Sequence, residues 1–182
     1  MRLYRSTIIL AIVLMILVAA HIWLSKPEEG RQAADSAENE EVVLVPVDRT
    51  KLSEVERTGA EGKIILTRKE NEFILSYPEN RSVIETNIND FISSLAQLKS
   101  ARIISRTPDD YDVYGLTEPQ ASIKVKTDDG NIIVLHIGDQ TYSRENHYVR
   151  KDGDNTVYAI SWYNAENLLK NLLQTDSGEN SS

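Results

Sequence analysis

The sequence predicts an α+β domain, an antiparallel β-sheet with two main helices covering one face, placed behind an N-terminal transmembrane helix. Three observations carry this reading. Thr7 to Leu24 is an uninterrupted apolar run. Ala121 to Lys126 alternates apolar and polar residues and runs into an Asp129-Gly130 turn. Asn87–Ala101 and Trp162–Leu172 each repeat apolar residues at spacings of three and four, the period of a helix with one buried stripe.

The apolar run comes first. Its 18 residues contain one strongly polar side chain, His21, and no charge. At about 1.5 Å per residue they make a helix of roughly 27 Å, enough to cross a hydrocarbon core about 30 Å thick. A cleaved signal peptide is the alternative, with Arg2 and Arg5 as its basic start and Val18-Ala19-Ala20 as the cleavage site. The run continues through Ile22, Trp23 and Leu24, and Trp23 with Lys26 suits the membrane interface, which favours an uncleaved anchor. Residues 1–24 are therefore read as a single-pass anchor to the bilayer, with the N-terminus cytoplasmic and the main domain extracytoplasmic.

Residues 25–41 hold no large apolar side chain. They cannot bury enough surface to offset their ordering entropy, so they read as a disordered acidic tether. Residues 175–182 read as a disordered tail, which leaves 42–174 as the folded domain. All 28 acidic residues but only 18 of the 20 Lys and Arg follow residue 24, giving that part a net charge of −10. Phosphate binding needs a basic face, so nucleic acid is not an expected partner. The chain has no cysteine, which excludes disulfides, thiol catalysis and thiolate metal sites. An exported domain without disulfides fits a bacterial envelope.

Within the domain, Val42–Val47 reads as an edge strand or a strand end and not as a central strand, because Pro46 lacks a ladder donor. Asp48–Gly59 is open between helix and strand. Lys63–Arg68 and Glu72–Tyr77 form a hairpin, with Phe73, Leu75 and Tyr77 on one face. Asn87–Ala101 is the clearest helix, its stripe made of Ile88, Phe91, Ile92, Leu95 and Leu98; Asn87 is the expected N-cap, and Ser94 is placed on the wet side. Arg102–Arg106 is a short strand. Ala121–Lys126 and Asn131–Ile137 pair across Asp129-Gly130, and Gly138 is expected to break the second strand. His147–Lys151 pairs with Thr156–Ile160. Ser161 then caps a helix whose stripe is Trp162, Ala165, Leu168, Leu169 and Leu172.

Candidate chemistry is sparse. There is no G-x-S-x-G, no zinc-binding histidine spacing and no Gly-rich phosphate loop. His136 reads as a hydrogen-bonded structural histidine and His147 as a surface one. Asp109, Asp110 and Asp112 lack the ligand ladder of a calcium loop and read as turn residues. No catalytic, metal or cofactor-binding residue is assigned, and no cofactor is expected.

Tyr111-Asp112-Val113-Tyr114-Gly115-Leu116-Thr117-Glu118-Pro119 carries a Y-G-L-x-x-P pattern, followed by a paired strand and a D-G turn. A strand ending Leu135-His136-Ile137-Gly138 comes next, then Tyr148-Val149-Arg150 and Val157-Tyr158. In this order the motifs resemble the bacterial membrane-anchored domain of unknown function 4340 family, over about residues 42–173. The resemblance implies a membrane-anchored envelope protein. Some members are encoded beside ABC transporters of the gliding-motility type. It supplies no catalytic residues. Physically, Tyr114, Gly115, Leu116 and Pro119 read as a structural latch: Gly115 permits a positive-φ turn, Tyr114 and Leu116 plug the sheet edge, and Pro119 stiffens entry to the next strand. The expected function is a membrane-tethered binding or accessory module with a membrane-associated protein partner. The alternatives are a small-ligand-binding domain and an envelope enzyme with an unrecognised carboxylate site.

Overall fold

The computed structural model describes residues 41–174. The predicted anchor, all but the last residue of the tether, and the tail lie outside the described residues. Eight strands form one antiparallel sheet: β1 (Leu52–Gly59), β2 (Gly62–Lys69), β3 (Glu72–Tyr77), β4 (Arg102–Ser105), β5 (Ala121–Thr127), β6 (Ile132–Gln140), β7 (Asn146–Lys151) and β8 (Val157–Ser161). Two helices accompany them, α1 (Glu85–Leu95) and α2 (Trp162–Leu169). The strand order is β3-β2-β1-β5-β6-β7-β8-β4. The predicted α+β class holds, with both helices on one face.

That face carries the core. Val55, Ile64, Leu66, Ile123, Val125, Leu135, Ile137, Val149 and Ile160 point from the sheet towards Phe91, Ile92, Leu95, Ala165 and Leu168 of the helices, all buried in one cluster. The period-two alternation of β5, buried at Ala121, Ile123, Val125 and Thr127, is why one face is apolar and the other wet. Asn167 Nδ2 donates to Ser94 Oγ at 2.9 Å inside the helix–helix contact, and Lys170 pairs with Asp90 at 2.9 Å at its rim. Ser94, expected on the wet side, is buried because α2 covers it.

Several expectations need correction. Val42–Val47 is not an edge strand. It is an extended segment in which Leu44 and Val45 N–H donate to the Leu98 carbonyl at 2.7 and 3.2 Å. The buried Leu44 and Val45 are thus satisfied by the connection after α1 instead of by the sheet. Asp48–Gly59 resolves into a short 3-10 turn and β1, a strand flanked on both sides. Helix α1 starts earlier than predicted, after Ile84, whose N–H donates to Leu172 O at 2.9 Å. Asn87 lies inside the helix and its side chain donates to Asn171 O at 2.6 Å, so it does not cap. The helix ends at Leu95, and Gln97 then takes a φ of +55°. Leu98 still reaches the core from the connection that follows. Gly138 does not break β6, which continues to Gln140. Ser161 caps α2 as expected, its Oγ accepting from Asn164 N–H at 3.3 Å. Trp162, assigned to the α2 stripe, is 48% exposed.

The link from β4 to β5 must travel from the sheet edge to its middle. It crosses the face opposite the helices, over β8, β7 and β6. The other half of that face, on β2, β1 and β5, stays open and carries a charge ladder in which Glu54 faces Lys126 and Glu56 faces Lys124. Lys63 closes on Glu56 at 2.8 Å. Such cross-strand pairs add a few tenths of a kcal/mol each, up to about 1 kcal/mol.

Candidate functional site

The crossover seats Tyr114, Gly115 and Leu116 over the interior strands β6 and β7 and not at the sheet edge where they were expected, while Pro119 lies by a separate cleft. A 3-10 turn, Asp112–Tyr114, leads into Gly115, which has φ 64° and ψ 27°, the left-handed region that costs an L side chain strain. Tyr114 and Gly115 N–H donate to the Tyr111 and Asp112 carbonyls at 3.2 and 2.9 Å, and Leu116 N–H donates to Tyr111 O at 3.1 Å. The turn therefore closes on its own backbone before any side chain contributes.

Side chains then pin it to the sheet. The Tyr114 ring meets Tyr148 edge to face, with centroids 5.0 Å apart. Tyr111 Oη donates to Asn155 O at 2.9 Å, and the Arg150 guanidinium sits 4.8 Å over the Tyr111 ring. Leu116 is buried. It lies against Gly138, where a Cβ would press into the Leu116 side chain and the Tyr114 carbonyl oxygen. Gly138 is thus the seat of the motif. The sequence marked it only as a strand breaker. A Cβ on Gly115 would come within 2.5 Å of the Asp139 carboxyl carbon. Burial, then Tyr148 and Asp109, raise the Tyr114 phenol above its ordinary 10.0 against a hydrogen bond with Ser105. Tyr114 accordingly stays neutral and has no basic role at physiological pH.

Pro119 leaves the crossover beside an open cleft of about 630 Å³, lined by Gly59, Glu61, Gln120, Ser122 and Leu169 among others. Beneath it lies a feature with no signal in sequence periodicity. Arg57 is 4% exposed, and its Nη1 donates to the Leu168 and Lys170 carbonyls at 3.2 and 2.7 Å, capping the C-terminus of α2. Its Nη2 donates to the Glu61 carboxylate, and its Cζ lies 5.7 Å from the Phe91 ring centroid. Burial lowers the Arg57 pKa, while the Glu61 charge and hydrogen bond oppose that. Arg57 and Glu61 both line the cleft, and the arrangement holds a helix end with the guanidinium paired to the Glu61 carboxylate.

Ser122, His136 and Asp152 stand in line on the open face. Ser122 Oγ and His136 Nδ1 are 3.0 Å apart, and His136 Nε2 is 3.6 Å from Asp152 Oδ1. The carboxylate favours a proton on Nε2, which leaves Nδ1 to accept from the Ser122 hydroxyl. Three residue types of a hydrolytic triad are present, but Asp152 is 62% exposed and beyond hydrogen-bond distance. β5 is also paired on both sides, with Ser122 opposite Thr58 and His136. His136 is hydrogen-bonded as expected. His147, expected at the surface, is 5% exposed, with Nδ1 3.3 Å from Gly138 O. Asp110 Oδ1 accepts from Asp112 N–H at 2.8 Å, the geometry of an Asx turn. Among the described residues no group of three His, Asp or Glu side chains is placed to hold a metal ion.

A family model described as "Domain of unknown function (DUF4340)" matches residues 75–175. The chain belongs to this family. The DUF4340 match takes in the end of β3, both helices and β4–β8, and so includes the whole crossover with Tyr114, Gly115, Leu116 and Pro119. No curated protein and no solved structure matches the chain. β1 and β2, with Arg57 and Glu61, lie before the matched DUF4340 region. Among the described residues no helix is long and apolar enough to cross a membrane.

Proposed function

We propose that this chain is a membrane-tethered, extracytoplasmic module that binds a membrane-associated protein in a bacterial envelope complex, as a transporter accessory, with no catalysis of its own. The observation that carries the proposal is the apolar run Thr7–Leu24 followed by seventeen residues rich in acidic side chains and without a large apolar one. A coil of that length would span about 20–25 Å, and a fully extended chain no more than about 60 Å. A partner within reach meets the domain at roughly millimolar effective concentration, so a weak interface suffices. The latch reading supports a scaffold role, because Tyr114, Leu116 and Tyr111 are used in packing the crossover and leave little for chemistry. The transporter association rests on the resemblance of the Y-G-L-x-x-P region to members encoded beside ABC transporters.

The test is to export residues 42–182 without Met1–Leu24, at native abundance, in a strain lacking the parent. Loss of the parental phenotype despite a folded, exported domain is the expected result. Full restoration would show that tethering is dispensable and would reject the proposal. The enzyme reading is favoured by one observation, the Ser122–His136–Asp152 line. Ser122→Ala in the full chain is expected to complement like the parent; loss of complementation with an unchanged melt would favour the enzyme.

A further inference from the structure

Among the described residues, three exposed aromatic residues lie at one end of the sheet. Tyr142, in the β6–β7 turn, is fully exposed at 103%, and Trp162 and Tyr163 in the first turn of α2 are 48% and 65% exposed. Twenty residues separate Tyr142 from Trp162 in sequence, but the register Asn146↔Ser161 sets β7 and β8 side by side. Trp162 N–H donates to Glu145 O at 2.8 Å and ties the helix start to the turn.

The turn is held firmly. Arg144 N–H donates to Thr141 O and Thr141 N–H to Asn146 O, both at 2.8 Å, and Gln140 Nε2 donates to Arg144 O at 3.0 Å. Arg144 itself sits at a φ of +61°, an unfavourable conformation for a side-chain-bearing residue. A strained, hydrogen-bonded turn that projects a tyrosine into solvent gives the core nothing. Trp162 likewise departs from the stripe its spacing predicts.

The start of the described chain lies at this same end. Val42 N–H donates to Ser100 Oγ at 3.0 Å, and Ala101 N–H donates to Ala159 O at 2.7 Å. Ala159 lies two residues before Ser161 in the strand that runs into Trp162. The described chain therefore begins beside the half of β8 that leads into Trp162, and the apolar run precedes it in sequence. Trp and Tyr combine an apolar ring with a polar N–H or O–H, the chemistry enriched at membrane–water interfaces.

We propose that Tyr142, Trp162 and Tyr163 form a bilayer-contacting tip that seats the domain on the membrane carrying its own anchor. The inference rests on the tethered reading above. Arg144 is the exposed cation of the same turn as Tyr142, but Asp139, Glu145 and Glu166 nearby in sequence outnumber it, so anionic headgroups oppose contact and screening by salt strengthens it. A basic patch would show the reverse dependence.

The test uses the full chain carrying Trp23→Phe, in which Trp162 is the remaining one of two tryptophans. It is reconstituted into vesicles of phosphatidylethanolamine and phosphatidylglycerol, with plain or brominated acyl chains. Flotation reads anchoring, and Trp162 fluorescence reads the tip. The expected result is flotation with Trp162 emission quenched by brominated lipid, more strongly at high salt, and weakened by Tyr142→Ser and Tyr163→Ser. Flotation with Trp162 unquenched by lipid but quenched by iodide would overturn the tip while leaving the anchor intact. Flotation with Trp162 shielded from both quenchers would assign the patch to contact with a second copy of the chain and also overturn it. Failure to float would reject the tethered reading, and the tip proposal would fall with it.

Discussion

At the scale of single residues, two glycines make the latch possible for different reasons. Gly115 supplies a left-handed backbone, and the atoms a Cβ would meet there belong to the movable Asp139 carboxyl group. Gly115→Val should therefore cost mainly backbone strain, about 1 kcal/mol or more. At Gly138 a Cβ would run into the Tyr114 carbonyl oxygen, which cannot swing aside, so Gly138→Ala should cost about 2–3 kcal/mol. Asp109→Asn and Asp110→Asn should change little. Thermal melts of the four variants give the order, and a Gly138→Ala melt equal to the parent's would contradict the close seat. A second residue-scale prediction concerns acid. Burial works against the Asp154 charge, but hydrogen bonds from Tyr158 Oη at 2.6 Å and Thr156 N–H at 2.8 Å hold its pKa below the ordinary 3.8. A depressed folded pKa stabilises the fold above the unfolded value of 3.8, and that contribution is lost as pH falls through the folded value. Tyr158→Phe should lower the melting temperature at neutral pH, and the gap from the parent should narrow as pH falls below the ordinary 3.8.

At the scale of elements, α2 depends on a strand residue for its end. It is only eight residues long, too short to hold as an isolated helix. Its last carbonyls are buried, and the Arg57 fork accepts the task of satisfying two of them while pairing with Glu61. Removing one partner of a buried pair leaves the other uncompensated, so Arg57→Met should destabilise the domain by about 3 kcal/mol or more. Arg57→Lys should recover little of this, because one ammonium cannot span two carbonyls and a carboxylate as a planar fork does. Urea unfolding of the two variants separates these outcomes. A Lys variant as stable as the parent would show that charge alone matters. β1, ambiguous from its own residues, is a strand because it pairs with both β2 and β5, and that position carries Arg57 to the end of α2.

At the scale of the whole molecule, the prediction is topological. Arg2 and Arg5 precede the uninterrupted apolar run, and the part that follows carries a net charge of −10. Residues 42–182 are expected outside the cytoplasm and in the membrane fraction. Protease added to spheroplasts should remove the domain. Protection until lysis would reverse the orientation.

What the sequence determined by itself is what short-range chemistry controls. The alternation of β5, the Asp129-Gly130 turn with Gly130 at a φ of +84°, the Ser161 cap and the left-handed Gly115 follow from pleat, turn and cap preferences within a few residues. The apolar stripe of α1 was legible for the same reason, and with it the α+β class. Tertiary structure decided whatever depends on a partner distant in the chain. Leu98 drew Val42–Val47 away from the sheet, and Leu172 moved the start of α1 ahead of Asn87. Crossing of the face opposite the helices by the β4–β5 connection turned Gly138 from a strand breaker into the seat of Leu116. His147 is buried, and Arg57 is a cap, because other elements close over them. The cost of leaving a buried polar group unpaired fixes such residues, and their partners lie up to 113 positions away, beyond the reach of any local pattern.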